Sequence, residues 1–419
     1  MAYVPVAFIL AGMTAYTVLA GADFGAGLWT LLAFGGSAGA RRIRDEARHA
    51  MGPVWEANHV WLVFVLVVAW TAYPVAYGSI TSTLAAPLLI AAIGIIFRGA
   101  AYALRGVADG SRSAEYLFAL SSVLTPFALG TAIGAIAVGR VPVGNAAGNP
   151  VTSWLNPASV LIGALAVVFS GYLAAVYLAA DSLRHTRETV TGPLRAEADA
   201  PDRSLADAFR RRALAAGLVC GALALAGLLV MRHSGLNLTH GAALALVCVS
   251  AAAGLATLLL CWRYRFELAR VTAALAVAAV VVGWAAGQAP RFLPGLTVTQ
   301  GAASRSTLVA LVIAVAGGAV VLVPSLALLY TLYLRGRLDT PEHPTPEGAV
   351  PVAAASDFAE GAVTASSTVR VWGGAAGAGL VAGTGLLVFA DASWAHLLGV
   401  ACLVLCAVCV FRLTATDYG

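Results

Sequence analysis

The sequence predicts an all-α polytopic membrane protein. Of its 419 residues, 60% are apolar and only 11% are charged, and the mean hydropathy is +0.86. A water-soluble chain of this length needs far more charge on its surface. The apolar residues also form runs of about 20, the length of a helix that spans a bilayer.

Eleven such runs occur in the chain, nine before residue 335 and two after residue 370. The polar stretch between the two groups is rich in proline, alanine and serine, as flexible linkers are. We therefore expect a membrane domain over 1–338, a linker over 339–370 and a transmembrane hairpin over 371–419. The first run has no basic region before it, so we expect a retained helix and no cleaved signal peptide. The expected spans are 4–32, 53–77, 79–104, 116–138, 157–181, 212–231, 240–261, 268–289, 307–334, 371–390 and 394–411.

Arginine placement predicts the orientation of these helices. The 25 basic residues are all arginine, and 21 of them lie at the loops after odd-numbered helices, against 4 on the other side. Basic loops stay in the cytoplasm, so we expect the N-terminus outside and the C-terminus inside. The longest polar segments on the cytoplasmic side, 182–211 and 338–370, are expected to be loops.

Several classes of function are excluded by the same reading. The net charge of +5 comes from short inter-helix loops, so it does not indicate nucleic-acid binding. No phosphate-binding loop, nucleophile elbow or zinc-ligand spacing occurs. The six cysteines lie in apolar runs, where cysteine acts as a small hydrophobe. We therefore expect neither a metal site nor disulfides.

Asp23 is the only charged residue between Met1 and Leu32, and it falls in the inner half of the first helix. An acid at that depth is a candidate proton carrier, because ionisable groups are costly inside a bilayer. The alternative is an acid at the inner membrane surface, if the span ends early. Gly21 and Gly25 form a small-xxx-small pair, which favours close packing against another helix.

The segment around Glu56 and His59 places an acid and an imidazole at the start of the second helix. They lie at i and i+3, so they share a helix face. Together they could admit protons from the cytoplasm, although an acid in the first turn also suits the helix dipole. Trp55 is expected to anchor the helix at the interface, and Asn58 is expected to be structural.

Arg98 lies inside the third apolar run, where a buried guanidinium needs an anionic partner. Asp23 and Glu56 lie at comparable depth and are the two candidates. The alternative is an arginine that extends to the cytoplasmic surface.

Histidine and methionine side chains are possible haem ligands in this chain. The chain has seven histidines and four methionines, and only His59 lies clearly within an expected span. A bis-histidine haem needs two inward ligands at matching depth. We therefore expect no haem and no other cofactor in this chain.

These motifs resemble one family, subunit II of cytochrome bd quinol oxidases. The second-helix segment is similar to its glycine/proline–Trp–acid–x–Asn–x–Val–Trp signature, and the segment around Asp23 to its first-helix glycine–x–Asp–x–Gly–x–Gly element. Ala20 stands where that family often has a second acid, and His59 where Glu or Gln is common. The resemblance covers roughly residues 1–338. The segments that carry it are Gly21-Ala-Asp-Phe-Gly-Ala-Gly27, Gly52-Pro-Val-Trp-Glu-Ala-Asn-His-Val-Trp61, Phe97-Arg98-Gly99, Phe127-Ala-Leu-Gly-Thr-Ala-Ile-Gly134, Pro290-Arg-Phe-Leu-Pro-Gly-Leu-Thr297 and Val323-Pro-Ser-Leu-Ala-Leu-Leu-Tyr330.

The resemblance implies a nine-helix core built largely of four-helix bundles, in a bacterial cytoplasmic membrane. It implies a haem-free subunit beside a larger subunit I that carries haems b and d. Such a complex oxidises quinol from the lipid phase and reduces dioxygen to water, and a small accessory membrane subunit is a further expected partner. In the family, the acid at the Glu56 position is associated with proton uptake, and Asp23 is the first-helix acid.

Two other functions fit the residues. A self-contained proton-coupled transporter would also hold intramembrane acids, although no pair of broken helices in corresponding positions is evident. A purely structural scaffold would use Asp23, Glu56 and Arg98 only to hold helices together.

Overall fold

The structure is a computed structural model. It describes residues 1–33, 38–49, 55–103, 112–189, 195–231, 236 and 238–334, with isolated positions between 375 and 405. The expected linker over 339–370 lies outside the described residues, as does most of the expected hairpin. The chain clusters into two compact units, Met1–Leu329 and Tyr330–Gly419.

Most described residues of the first unit are helical, and one short β-hairpin is present among them. In the described residues, seven helices are long and apolar enough to cross a membrane, or eight if one bent pair is a single span. The chain is therefore a multi-pass all-α membrane protein. The helices are α1 (Val4–Leu32), α2 (Ala38–His49), α3 (Trp55–Ala72), α4 (Pro74–Thr83), α5 (Ala85–Ala103), α6 (Arg112–Ala137), α7 (Pro157–Thr189), α8 (Arg195–Met231), α9 (Gly241–Trp262), α10 (Phe266–Gln288), α11 (Val298–Gly301) and α12 (Arg305–Leu334).

The second and third expected spans are divided differently from the prediction. We expected a boundary near residue 78, but α3 ends at Ala72 and Pro74 begins α4. Proline suits the first position of a helix because its missing N–H needs no partner there. A second break follows at Leu84, and α4 and α5 meet at an angle of 81°. The two predicted spans are therefore three helices.

Two segments that we expected to be loops are helical. The residues Ala38–His49 form α2, which buries Ile43 and Ala47, four residues apart on one face. In the segment 182–211, α7 continues to Thr189 and α8 begins at Arg195. The end of α7 and the start of α8 are polar because they extend beyond the apolar spans.

The β-hairpin closes the end of the bundle after α10. Its strands are β1 (Arg291–Leu293) and β2 (Leu296–Thr297), paired antiparallel. The Phe292 ring packs on Tyr73 with 4.9 Å between centroids, so the hairpin covers the break between α3 and α4. Thr297 caps α11 through a capping box with Gln300.

The largest core cluster lies among α1, α7, α8, α9 and α10. Small residues dominate it, which lets the helix backbones approach closely. A second cluster joins α3, α4, α6 and the hairpin. Helices α1, α5 and α6 meet around Asp23 and Arg98, and α3 carries the other candidate residues beside them.

Candidate functional site

The centre of the site is an ion pair between α1 and α5. Arg98 is fully buried, and its Nε and Nη2 donate to the two carboxylate oxygens of Asp23 at 3.0 and 2.7 Å. Nη2 also donates to the Asp23 carbonyl oxygen at 2.7 Å. Arg98 therefore does not extend to the surface, and Asp23 is its partner. The Asp23 side chain is also buried within the protein.

A third helix, α6, also contributes a hydrogen-bond acceptor to Arg98. Its Nη1 donates to the Ser122 hydroxyl of α6 at 2.6 Å. The guanidinium also lies over two aromatic rings, 4.9 Å from the Phe24 centroid and 4.3 Å from that of Phe118. Cation–π contacts are strong where water is excluded. Arg98 thus joins α1, α5 and α6 at one buried point.

Glycines of α1 allow it to pack closely against α7 and α6. A Cβ on Gly25 would lie 1.9 Å from the Ser170 carbonyl oxygen of α7, and one on Gly21 would lie 3.3 Å from Leu173. The predicted packing role of this glycine pair is confirmed. On the other side of α1, a Cβ on Gly27 would lie 2.0 Å from the Ser122 Oγ that receives Arg98.

His59 of α3 lies beside this centre. Its ring contacts Tyr16 in an edge-to-face arrangement with centroids 5.8 Å apart, and Phe24 at 6.1 Å. Phe24 also contacts the Arg98 guanidinium, so one ring separates the imidazole from the ion pair. Tyr16 and Asp23 are seven residues apart on α1 and share a face. The imidazole, the phenol and the ion pair therefore form one polar group inside an apolar bundle.

Three further candidate residues lie at the start of α3. Trp55 and Glu56 are its first two residues, and their side chains lie outside the described residues. Asn58 is buried, and its Oδ1 accepts no hydrogen bond from the described part of the chain. The structure thus places Glu56 in the first turn and His59 one turn further along, as expected.

Sequence reasoning missed Tyr16 and Ser122. The Tyr16 hydroxyl is buried, and it has no hydrogen-bond partner among the described residues. Its position seven residues before Asp23 could have indicated it, because residues at that spacing share a helix face. Nothing local indicates Ser122, whose role depends on how α5 and α6 pack.

No group of three or more histidine, cysteine or acidic side chains in the described residues could hold a metal ion. Cys220, Cys248, Cys261 and Cys402 are free thiols. The arrangement offers fixed charge, an imidazole and hydroxyls, which can hold or pass protons.

The fold and the site define a multi-pass membrane protein whose helices close around a buried ion pair and an adjacent histidine. Residues 1–333 match the family described as Cytochrome bd terminal oxidase subunit II. The chain belongs to that family, as its motifs led us to expect.

Two similar proteins carry related names. Over 115 residues, 27% of this chain, it is 30% identical to the "Cytochrome bd ubiquinol oxidase subunit 2" of Bacillus subtilis (strain 168). That match spans about a third, 33%, of the Bacillus protein. A chain in "The structure of bd oxidase from Geobacillus thermodenitrificans" superimposes with a TM-score of 0.58 at 23% identity, over 80% of this chain and 98% of that one. The superposition shows that the fold is shared.

Proposed function

We propose that this chain is the haem-free subunit II of a cytochrome bd-type terminal oxidase in a bacterial cytoplasmic membrane. It would stabilise a haem-bearing subunit I and line a path that brings protons from the cytoplasm. The complex would oxidise quinol and reduce dioxygen to water. Family membership supports the assignment, and the buried Arg98–Asp23 pair with His59 beside it carries the argument for the proton path.

The chemistry of the reaction creates the need for such a path. Reduction of dioxygen to water takes up one proton for each electron, whereas quinol oxidation releases one proton for each electron. If the protons consumed come from the cytoplasm, they must cross part of an apolar bundle. Such a route needs titratable or hydroxylic groups placed at intervals, because an isolated charge in that medium is costly.

Three residues supply those groups in the proposed path. Glu56, in the first turn of α3, would take up the proton, and His59, one turn further along, would receive it. Asp23 would act mainly as a fixed charge, because its two oxygens already accept from Arg98. Protonating Asp23 would leave the buried guanidinium uncompensated, which is unfavourable.

The proposal that the chain binds no haem follows from its ligand supply. Haem iron takes axial ligands such as histidine, methionine or cysteine thiolate. Of the imidazoles with described side chains, His59 is largely buried and His240 is exposed. The haems b and d are therefore assigned to the partner, and this chain would not be catalytic alone.

The test compares two glutamates at matching helix positions. Glu56 is the second residue of α3, and Glu267 is the exposed second residue of α10. We expect Glu56→Gln to lower quinol-driven oxygen consumption per haem by about tenfold or more, the scale of a general acid–base contribution. Glu267→Gln should leave it unchanged. Wild-type turnover in Glu56→Gln, at full haem content, would leave only the scaffold function.

A further inference from the structure

The turn between α9 and α10 carries an unusual density of arginine and aromatic side chains. Trp262 ends α9, and Arg263, Tyr264 and Arg265 form the turn before α10. Tyr264 has a φ of 57°, a left-handed conformation that reverses the chain within three residues. All four of these side chains are exposed.

Helix α8 adds two more arginines to this turn. The Arg210 guanidinium lies 4.6 Å from the Tyr264 ring and 5.6 Å from that of Trp262. Arg211 is the next residue on α8, and its side chain is exposed. We call Arg210, Arg211 and residues 262–265 the basic corner.

Among the described residues, the acids near the basic corner are already engaged. Asp207 accepts a hydrogen bond from the Tyr264 hydroxyl and lies 3.4 Å from Arg210. That hydrogen bond raises the pKa of the Tyr264 hydroxyl. Glu267 pairs with Arg270. Arg211, Arg263 and Arg265 make no ion pair within the described part of the chain. In the part of the chain that the structure describes, the corner therefore presents uncompensated positive charge.

An apolar track leads away from the corner along α9. Leu255, Leu259 and Trp262 are spaced four and three residues apart, so they lie on one helix face. Their exposed fractions are 67%, 50% and 65%. A cationic head region joined to an apolar strip matches a ligand with a charged head and acyl chains.

We propose that the basic corner binds an anionic phospholipid with two phosphates, of the cardiolipin class. The phosphates would accept from Arg211, Arg263 and Arg265, and Trp262 would lie at the level of the glycerol. The acyl chains would follow Leu259 and Leu255 along α9. An acidic soluble protein would match the arginines but would leave the apolar track without a role. Arginine suits this ligand because its planar guanidinium donates two parallel hydrogen bonds to a phosphate.

The test uses the full-length chain, with any partner that copurifies, after delipidation in detergent. Cardiolipin is titrated in and bound lipid is counted by native mass spectrometry. The test variant is Arg263→Gln/Arg265→Gln. The control is Arg140→Gln/Arg305→Gln, which removes the same charge from two exposed arginines elsewhere. Phosphatidylcholine is titrated in parallel.

We expect the apparent Kd for cardiolipin to rise by at least about tenfold in the test variant, because it removes two of the three arginines that would bind the phosphates. It should change less than about twofold in the control. Equal weakening in both variants, equal binding of phosphatidylcholine, or unchanged binding in the test variant would each overturn the proposal. This readout does not depend on oxygen consumption, so it stands apart from the oxidase assignment.

Discussion

Arg98 donates hydrogen bonds to both carboxylate oxygens of Asp23, a residue 75 positions earlier in the chain. The pair connects α1 to α5. Both side chains are buried, so each charge is compensated by the other residue and not by water. The two roles that we propose for the pair are separable by mutation. One is to hold three helices together, and the other is to place a fixed charge beside His59.

The first prediction concerns the stability of this pair. Arg98→Met should lower the free energy of unfolding by about 3–5 kcal/mol, because it leaves a buried carboxylate without its partner. Asp23→Asn should also destabilise the protein, because the neutral amide leaves the buried guanidinium without a compensating charge. Thermal unfolding of the purified protein in detergent measures both.

The double variant Asp23→Leu/Arg98→Met is the control for that prediction. It removes both charges together, so its loss of stability should be smaller than the sum of the two single losses. Additive losses would contradict a direct interaction between the residues.

A second prediction concerns the contact between α1 and α7. Gly25→Ala should destabilise the protein by roughly 1–3 kcal/mol or more, because the new methyl would meet the Ser170 carbonyl oxygen at 1.9 Å. Gly254→Ala is the matched control in α9, where a Cβ meets nothing within 4 Å. There alanine should be neutral or stabilising by up to about 1 kcal/mol. Equal melting temperatures for the two variants would show that α1 and α7 pack less tightly in solution than the Gly25–Ser170 approach in the structure requires.

Much of this architecture was predictable from the sequence, and the exceptions have physical causes. Apolar runs located the spanning helices because the length of a span is set by bilayer thickness. They did not locate the breaks at Tyr73 and Leu84, because the chain stays uncharged through both. Pro74 and Pro87, in the first turns of α4 and α5, were visible signals for the two breaks. The polar extension of α8 was missed because composition alone does not distinguish an exposed helix from a loop.

The sequence indicated Asp23, His59 and Arg98 as candidate site residues, but it indicated neither Tyr16 nor Ser122 nor the pairing of Arg98. A buried Arg98 demanded an acid, but depth along the helices allowed Asp23 or Glu56. The packing of α5 against α1 and α6 places Asp23 and Ser122 against Arg98, and the Glu56 side chain lies outside the described residues. Tyr16 became part of the site because His59 packs against it, a contact between helices that no local pattern encodes.

A third prediction tests the orientation inferred from arginine placement. Ser204 and Asn145 are both exposed and suit single-cysteine labelling after the native cysteines are replaced by alanine. In intact cells, a membrane-impermeant thiol reagent should label Asn145→Cys and not Ser204→Cys. Permeabilised cells supply the control, since both positions should then react. The reverse pattern in intact cells would place the Ser204 end of α8 outside the cell. Proton uptake from the cytoplasm through Glu56 would then lose its basis.

The last prediction separates a proton-carrying His59 from a packing one. His59→Gln keeps a polar side chain of similar length but cannot gain a proton near neutral pH, whereas an imidazole can. If His59 passes protons, turnover per haem should fall severalfold or more while the amount of assembled complex stays the same.

Tyr16→Phe is the companion variant, because it preserves the edge-to-face contact with His59 and removes only the hydroxyl. If only packing matters, Tyr16→Phe should be silent and His59→Gln should lower stability without changing turnover per haem. Measurements of turnover across pH add a further readout, since loss of a titrating group should flatten the profile, which a packing defect does not do.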